Sequence, residues 1–239
     1  MSRILGTDPL IYLLIFLGLL FTQISGFLLR QALLMPLLNA LVLWPFLIWT
    51  LRHARVDVAV RLLIFWAVIL FLGAVLAGRV FSASAQFAVP GSIEYNVQQL
   101  QWIRGDVTPV EDPGSWLPLL MRRTGVLLFG GALSAGLIPL ITGARALAIL
   151  GLWTANLLNA PHIIAVFLGI PLWTWVEAAA QILLGAVLAE PILTGDVNAL
   201  LTPLRRRLLL MGLTGLGLAA LIHAFLAPLN RALLHLLLF

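Results

Sequence analysis

The run ALAILGLWTANLLNAPHIIAVFLGIPLWTWVEAAAQILLGAVLA, from Ala146 to Ala189, decides the fold, because it contains no arginine and one acid, Glu177. At a rise of about 1.5 Å per residue it is too long to cross a ~30 Å hydrocarbon layer once and too short to cross it three times. Two membrane helices are expected: Ala146 to Leu168, and Pro171 to Glu190, with the break around Gly169 to Pro171. Asn159, Pro161 and His162 offer an alternative, an interruption within the membrane. On the second helix Thr174, Glu177, Gln181 and Gly185 recur every three or four residues, which puts them on one polar stripe. An ionised carboxylate in hydrocarbon costs several kcal/mol, so Glu177 needs a partner, a wet cavity or a proton.

Composition extends this reading to the whole chain. Of 239 residues, 62 % are hydrophobic and 10 % charged, with a mean hydropathy of +1.09, which excludes an ordinary soluble domain. All 14 basic residues are arginines, and the net charge of +5 is spread along the sequence. No nucleic-acid site follows from so dispersed a charge. Single arginines beside apolar runs instead suit helix ends whose guanidinium groups reach the interface. The absence of cysteine excludes disulfides, thiolate metal sites and a cysteine nucleophile.

Further apolar runs at Pro9 to Leu29, Ala32 to Leu51, Leu62 to Ala77, Thr124 to Gly143 and Leu208 to Leu226 complete the pattern. The expected fold is all-α, a polytopic transmembrane bundle of about seven spans, with residues 1–239 forming one integral membrane domain. The first run has no small-residue cleavage site after it and reads as a retained helix, not a removed signal. Residues 81–123 carry Glu94, Asp106, Glu111 and Asp112 among turn formers and read as an extramembrane loop. Within that loop Ile93, Val97, Leu100 and Ile103 share one face of an amphipathic helix. Arg145 is expected to mark the connection between the fourth and fifth spans, and Pro228 to break the last one.

Two kinds of site stand out. Besides the stripe of Thr174, Glu177 and Gln181, candidate polar partners within the spans are Asn159, His162 and His223. Small residues at Gly130, Gly131, Ser134 and Ala135, and again at Gly212 and Gly215, provide faces for close helix packing. Histidines at metal-ligand spacing, a nucleophile turn and a phosphate loop with lysine are all missing, so no catalytic residue, metal or cofactor is expected. The expected partners are the lipid bilayer and a protein partner or second copy docked through the glycine-rich helices. The first functional expectation is a non-catalytic subunit or scaffold of a membrane complex, and the second a small transporter or channel component using the Glu177 stripe. Arginines at 52, 55, 61 and 205–207 place those loops in the cytoplasm of a cell-membrane protein, with the amino terminus inside and the carboxyl terminus outside.

From Trp116 onward the chain resembles the multi-pass membrane proteins related to stage II sporulation protein M. A small-residue helix at Gly125 to Pro139, a long span at Ala146 to Leu168, and Pro171 opening a helix with Glu177 carry the resemblance. The chain departs from that pattern at Arg122, Arg123 and Thr124, near the place of the family's paired asparagines, and lacks its Asn-Gly and the histidine after the proline. The resemblance implies a multi-pass protein and no reaction.

Overall fold

The structure is a computed structural model that describes residues 9–29, 31, 34–53, 55–106, 118, 121–122, 124–125, 129–131, 133–195 and 202–239. Its helices are α1 (Pro9–Leu29), α2 (Leu34–Arg52), α3 (Val56–Val80), α4 (Ser82–Ala88), α5 (Ser92–Arg104), α6 (Leu137–Leu157), α7 (Ile164–Gly169), α8 (Leu172–Thr194) and α9 (Pro203–Leu238). Six of them, α1, α2, α3, α6, α8 and α9, are long and apolar enough to cross a membrane. The protein is an all-α polytopic bundle.

The first three spans pack as antiparallel neighbours. A Cβ added at Gly18 would meet Val42, and one at Gly26 would meet Met35, so α1 and α2 run in opposite directions with little between them. Buried polar groups tie these helices together: the Thr22 hydroxyl donates to Asn39 Oδ1 at 2.6 Å, Trp66 Nε1 donates to Asn39 O at 2.9 Å, and Gln23 Nε2 donates to Leu70 O at 3.3 Å. Such bonds between membrane helices contribute roughly 0.6 to 2 kcal/mol each.

Helix α6 runs parallel to α3, with Gly143 beside Trp66, Gly151 against Ala74, and Gly78 against Ala155. At Gly151 an added Cβ would lie 2.6 Å from Ala74 Cβ and 2.8 Å from Phe71 O, so only glycine permits this approach. Helices α8 and α9 form an antiparallel pair, with Ala180 against Gly215 and Leu184 against Gly212, and the Trp175 ring meets Phe71 of α3 at 5.7 Å. Together these pairings put Leu19, Val42, Val68, Arg145, Ala178 and Leu218 at about one height, the middle of the spans.

Several expected boundaries are corrected. The fourth run, Thr124 to Gly143, is not one helix: Ala135 (φ 49°) and Gly136 (φ 88°) are both left-handed, which no right-handed helix accommodates, and α6 begins at Leu137. Trp44 Nε1 holds the turn by donating to Ala135 O, and the Ser134 hydroxyl oxygen accepts from the Ile138 amide at 2.9 Å. Arg145 therefore lies inside a continuous span instead of in a connection. Helix α6 stops at Leu157, so Ala146 to Leu168 is not one helix either; the chain breaks at Asn159 to His162 and again at the expected Gly169 to Pro171. Glu190 and Pro191 do not end α8, which continues to Thr194. Pro228 does not break α9, a helix of 36 residues; its ring is on the exposed side, where a membrane helix tolerates proline.

Candidate functional site

The most buried charge is not Glu177 but Glu190, whose side chain is 0 % exposed. Arg205 meets it with two nitrogens: Nε donates to Oε2 at 2.6 Å and Nη2 to Oε1, while Nη1 donates to the Thr202 hydroxyl oxygen. Two parallel bonds fix the plane of both groups and join the end of α8 to the start of α9. Sequence reading passed over this pair because both residues stood at ends of apolar runs, where charges look solvated. The available signal was an acid in the last turns of one span and an arginine in the first turn of the next.

The chain between α6 and α8 is broken twice, and each break has its own polar support. At the first, Arg79 Nη1 donates to Asn159 Oδ1, and His162 is exposed in the same turn. At the second, helix α7 ends at Gly169, two residues before Pro171, leaving carbonyls with no helical partner. Trp153 Nε1 donates to Gly169 O at 3.0 Å and Asn230 Nδ2 donates to Leu168 O at 3.1 Å. Non-helical backbone at membrane depth needs such partners or water.

Helices α4 and α5 form a hairpin against α1, α3 and α6, with Ala85, Ala88 and Val89 in one cluster with Phe27, Met35, Ala74, Ala77 and Ala148. Its tip, Pro90 and Gly91, reaches Arg145: Nε donates to Pro90 O at 2.9 Å, and left-handed Gly91 (φ 81°) leaves room for the guanidinium. The tip thus lies near the middle of α6, far inside the end at Leu157. Helix α5 then runs outward past Trp153, whose ring meets Tyr95 at 6.4 Å, to Gly105 beside Arg231. Along it Glu94, Gln98 and Gln101 form an exposed polar ridge, next to an exposed apolar ridge of Ile93, Val97 and Leu100. Of the four apolar residues expected on one face of this helix, Ile103 is buried, and Ile93, Val97 and Leu100 are exposed. On the inner side, Asn96 has both amide atoms buried without a hydrogen-bond partner among the described residues, an arrangement that calls for water or a ligand.

The expected stripe lies on α8, with Thr174, Glu177 and Gln181 all half-buried, and Gln181 Nε2 donates to Glu177 Oε1 at 2.8 Å. Glu177 stands at the middle height, within a residue of Ala178. His223 of α9 stacks on Trp173 at 4.9 Å between ring centroids, one turn from the stripe. The small residues pack within the chain: Gly212 and Gly215 receive Leu184 and Ala180, Gly130 receives Ile138, and Gly131 receives Pro139. Ser134 and Ala135 belong to the turn before α6. Among the described residues no cluster of three or more His, Asp or Glu could hold a metal ion.

No family model matches the chain, and no curated protein or solved structure does either. Function is therefore argued from the geometry of these sites.

Proposed function

We propose that this multi-pass membrane protein is a small transporter or channel component in which the α4–α5 hairpin is re-entrant and Arg145 marks the inner end of a wet path. The observation that carries this reading is the exposed ridge of Glu94, Gln98 and Gln101, which leads from the outer end of α5 to a tip held by a guanidinium at mid-span height. Carboxylate, amide and guanidinium groups at such depth are stable beside water and costly beside lipid. Interrupted helices with supported carbonyls, as at Gly169 to Pro171, are found where backbone lines a cavity or path. Glu177, at the same height on α8, supplies a second ionisable group. The scaffold reading rested on glycine faces that this chain fills with its own side chains, so the geometry supports transport better. The resemblance to the sporulation protein family adds only a multi-pass architecture.

The test uses single cysteines, since the chain has none. Cysteines at Gln101, Gln98 and Glu94 are expected to react with an impermeant thiol reagent at rates that fall toward the tip, while Val97→Cys stays protected. In liposomes the protein is expected to conduct protons or small ions above the empty-vesicle level, and Glu177→Gln and Arg145→Gln to change that flux. An inert Glu94→Cys beside a reactive Gln101→Cys, or flux equal to empty vesicles for protons, monovalent cations and anions, would overturn the reading.

The orientation follows from arginine placement. Arg52, Arg55, Arg61 and Arg205 to Arg207 gather at one end of the bundle, and that end is cytoplasmic. Phe239→Cys should then be labelled from outside intact cells and His53→Cys should not; the opposite result inverts the topology.

A further inference from the structure

We propose that the first three turns of α9 hold an anionic phospholipid of the leaflet on that face, with Arg206 and Arg207 on its phosphate and the groove below them along an acyl chain. A cavity of about 470 Å³ is lined there by Pro203, Arg206, Arg207, Leu210, Met211 and Thr214. Their spacing puts all six on one side of the helix. The opposite side carries Arg205, Gly212, Gly215 and Ala219, and it is this side that packs on α8. The groove therefore faces away from α8.

Charge and depth select the ligand. Arg205 is neutralised by Glu190, whereas the side chains of Arg206 and Arg207 have no hydrogen bond or ion pair among the described residues, which leaves two exposed guanidinium groups at the mouth of the groove. Twenty-five residues farther along, Arg231 stands seven residues before the end of the same helix, about 37 Å away at 1.5 Å per residue. That distance exceeds the ~30 Å hydrocarbon core and falls within the ~40 to 45 Å that includes both headgroup layers. The arginine pair is thus at headgroup height, and Leu210, Met211 and Thr214 descend from it into the acyl region. A free phosphate would use the arginines and leave the apolar wall unoccupied; a phospholipid uses both. The guanidinium fork matches phosphate oxygens in geometry as well as charge.

The experiment compares spin-labelled phosphatidylglycerol with spin-labelled phosphatidylcholine around the full chain in phosphatidylcholine vesicles. Each arginine near an anionic surface is expected to favour the acidic lipid by roughly fivefold, so the motionally restricted signal should be larger for phosphatidylglycerol. Arg206→Gln with Arg207→Gln should abolish that preference and leave the phosphatidylcholine signal unchanged, and Arg206→Lys with Arg207→Lys should retain most of it. Equal association of the two lipids with the wild-type chain overturns the proposal, as does a preference that survives the double Gln change. Displacement of phosphatidylglycerol by millimolar inorganic phosphate overturns it in favour of a free-anion site. None of these readouts depends on transport.

Discussion

The first three spans and the last two treat buried polarity in opposite ways. In α1 to α3 it is neutral and spread out: Thr22, Gln23, Asn39 and Trp66 exchange single hydrogen bonds between unbroken helices. In α8 and α9 it is concentrated in one buried ion pair, and the chain leading into α8 is interrupted and propped by Trp153 and Asn230. Neutral bonds fix the register of helices that are otherwise held by apolar contact. A buried charge pair couples two helix ends strongly but makes each partner indispensable to the other. The first region is built as a frame, the second as a part whose shape depends on a few polar contacts.

That contrast can be broken most forcefully at Glu190. Glu190→Leu strands the Arg205 guanidinium and should cost about 3 to 5 kcal/mol, read as a large fall in melting temperature in detergent, whereas Glu190→Leu combined with Arg205→Leu should recover most of the loss. Equal damage from the single and double variants would show that packing, not the charge, matters there. A smaller effect is expected at the prop. Asn230→Ala frees Leu168 O and should destabilise by roughly 1 to 2 kcal/mol, more than Gln23→Ala in the frame, because the carbonyl it leaves belongs to a helix end and has no other partner within the helix. A larger loss from Gln23→Ala would reverse the assignment of frame and contact-dependent part. The smallest change is Glu177→Gln, which keeps its contact with Gln181 and should shift stability by less than about 0.5 kcal/mol. Melting curves of the purified variants rank all three.

The apolar runs were legible because lipid exposure demands them: the cores of α1, α2, α3, α8 and α9 follow from composition alone. The errors arose where one residue type has two physical roles. Arginine usually marks a helix end, so Arg145 looked like a connection; inside α6 it is stabilised by a carbonyl contributed by a segment 55 residues earlier, a contact that periodicity does not reveal. Proline usually ends a helix, so Pro228 looked like a stop, yet Pro45, Pro191 and Pro228 all lie within helices. Glu177 was conspicuous for its isolation. Glu190 was read as a helix end because its partner lies 15 positions later, although its burial is deeper.

The bond between Arg145 and Pro90 also sets an order for biogenesis. During synthesis the hairpin leaves the ribosome before α6 does, and its tip carbonyl then has no guanidinium to meet. The α4–α5 segment therefore has to wait beside water or the insertion machinery until α6 arrives, and it docks only afterwards. Glu190 and Arg205 are separated by 15 positions and can enter as an already paired hairpin. The membrane would thus receive the end of this protein as a paired unit, and its α4–α5 hairpin only in company with the helix that follows it.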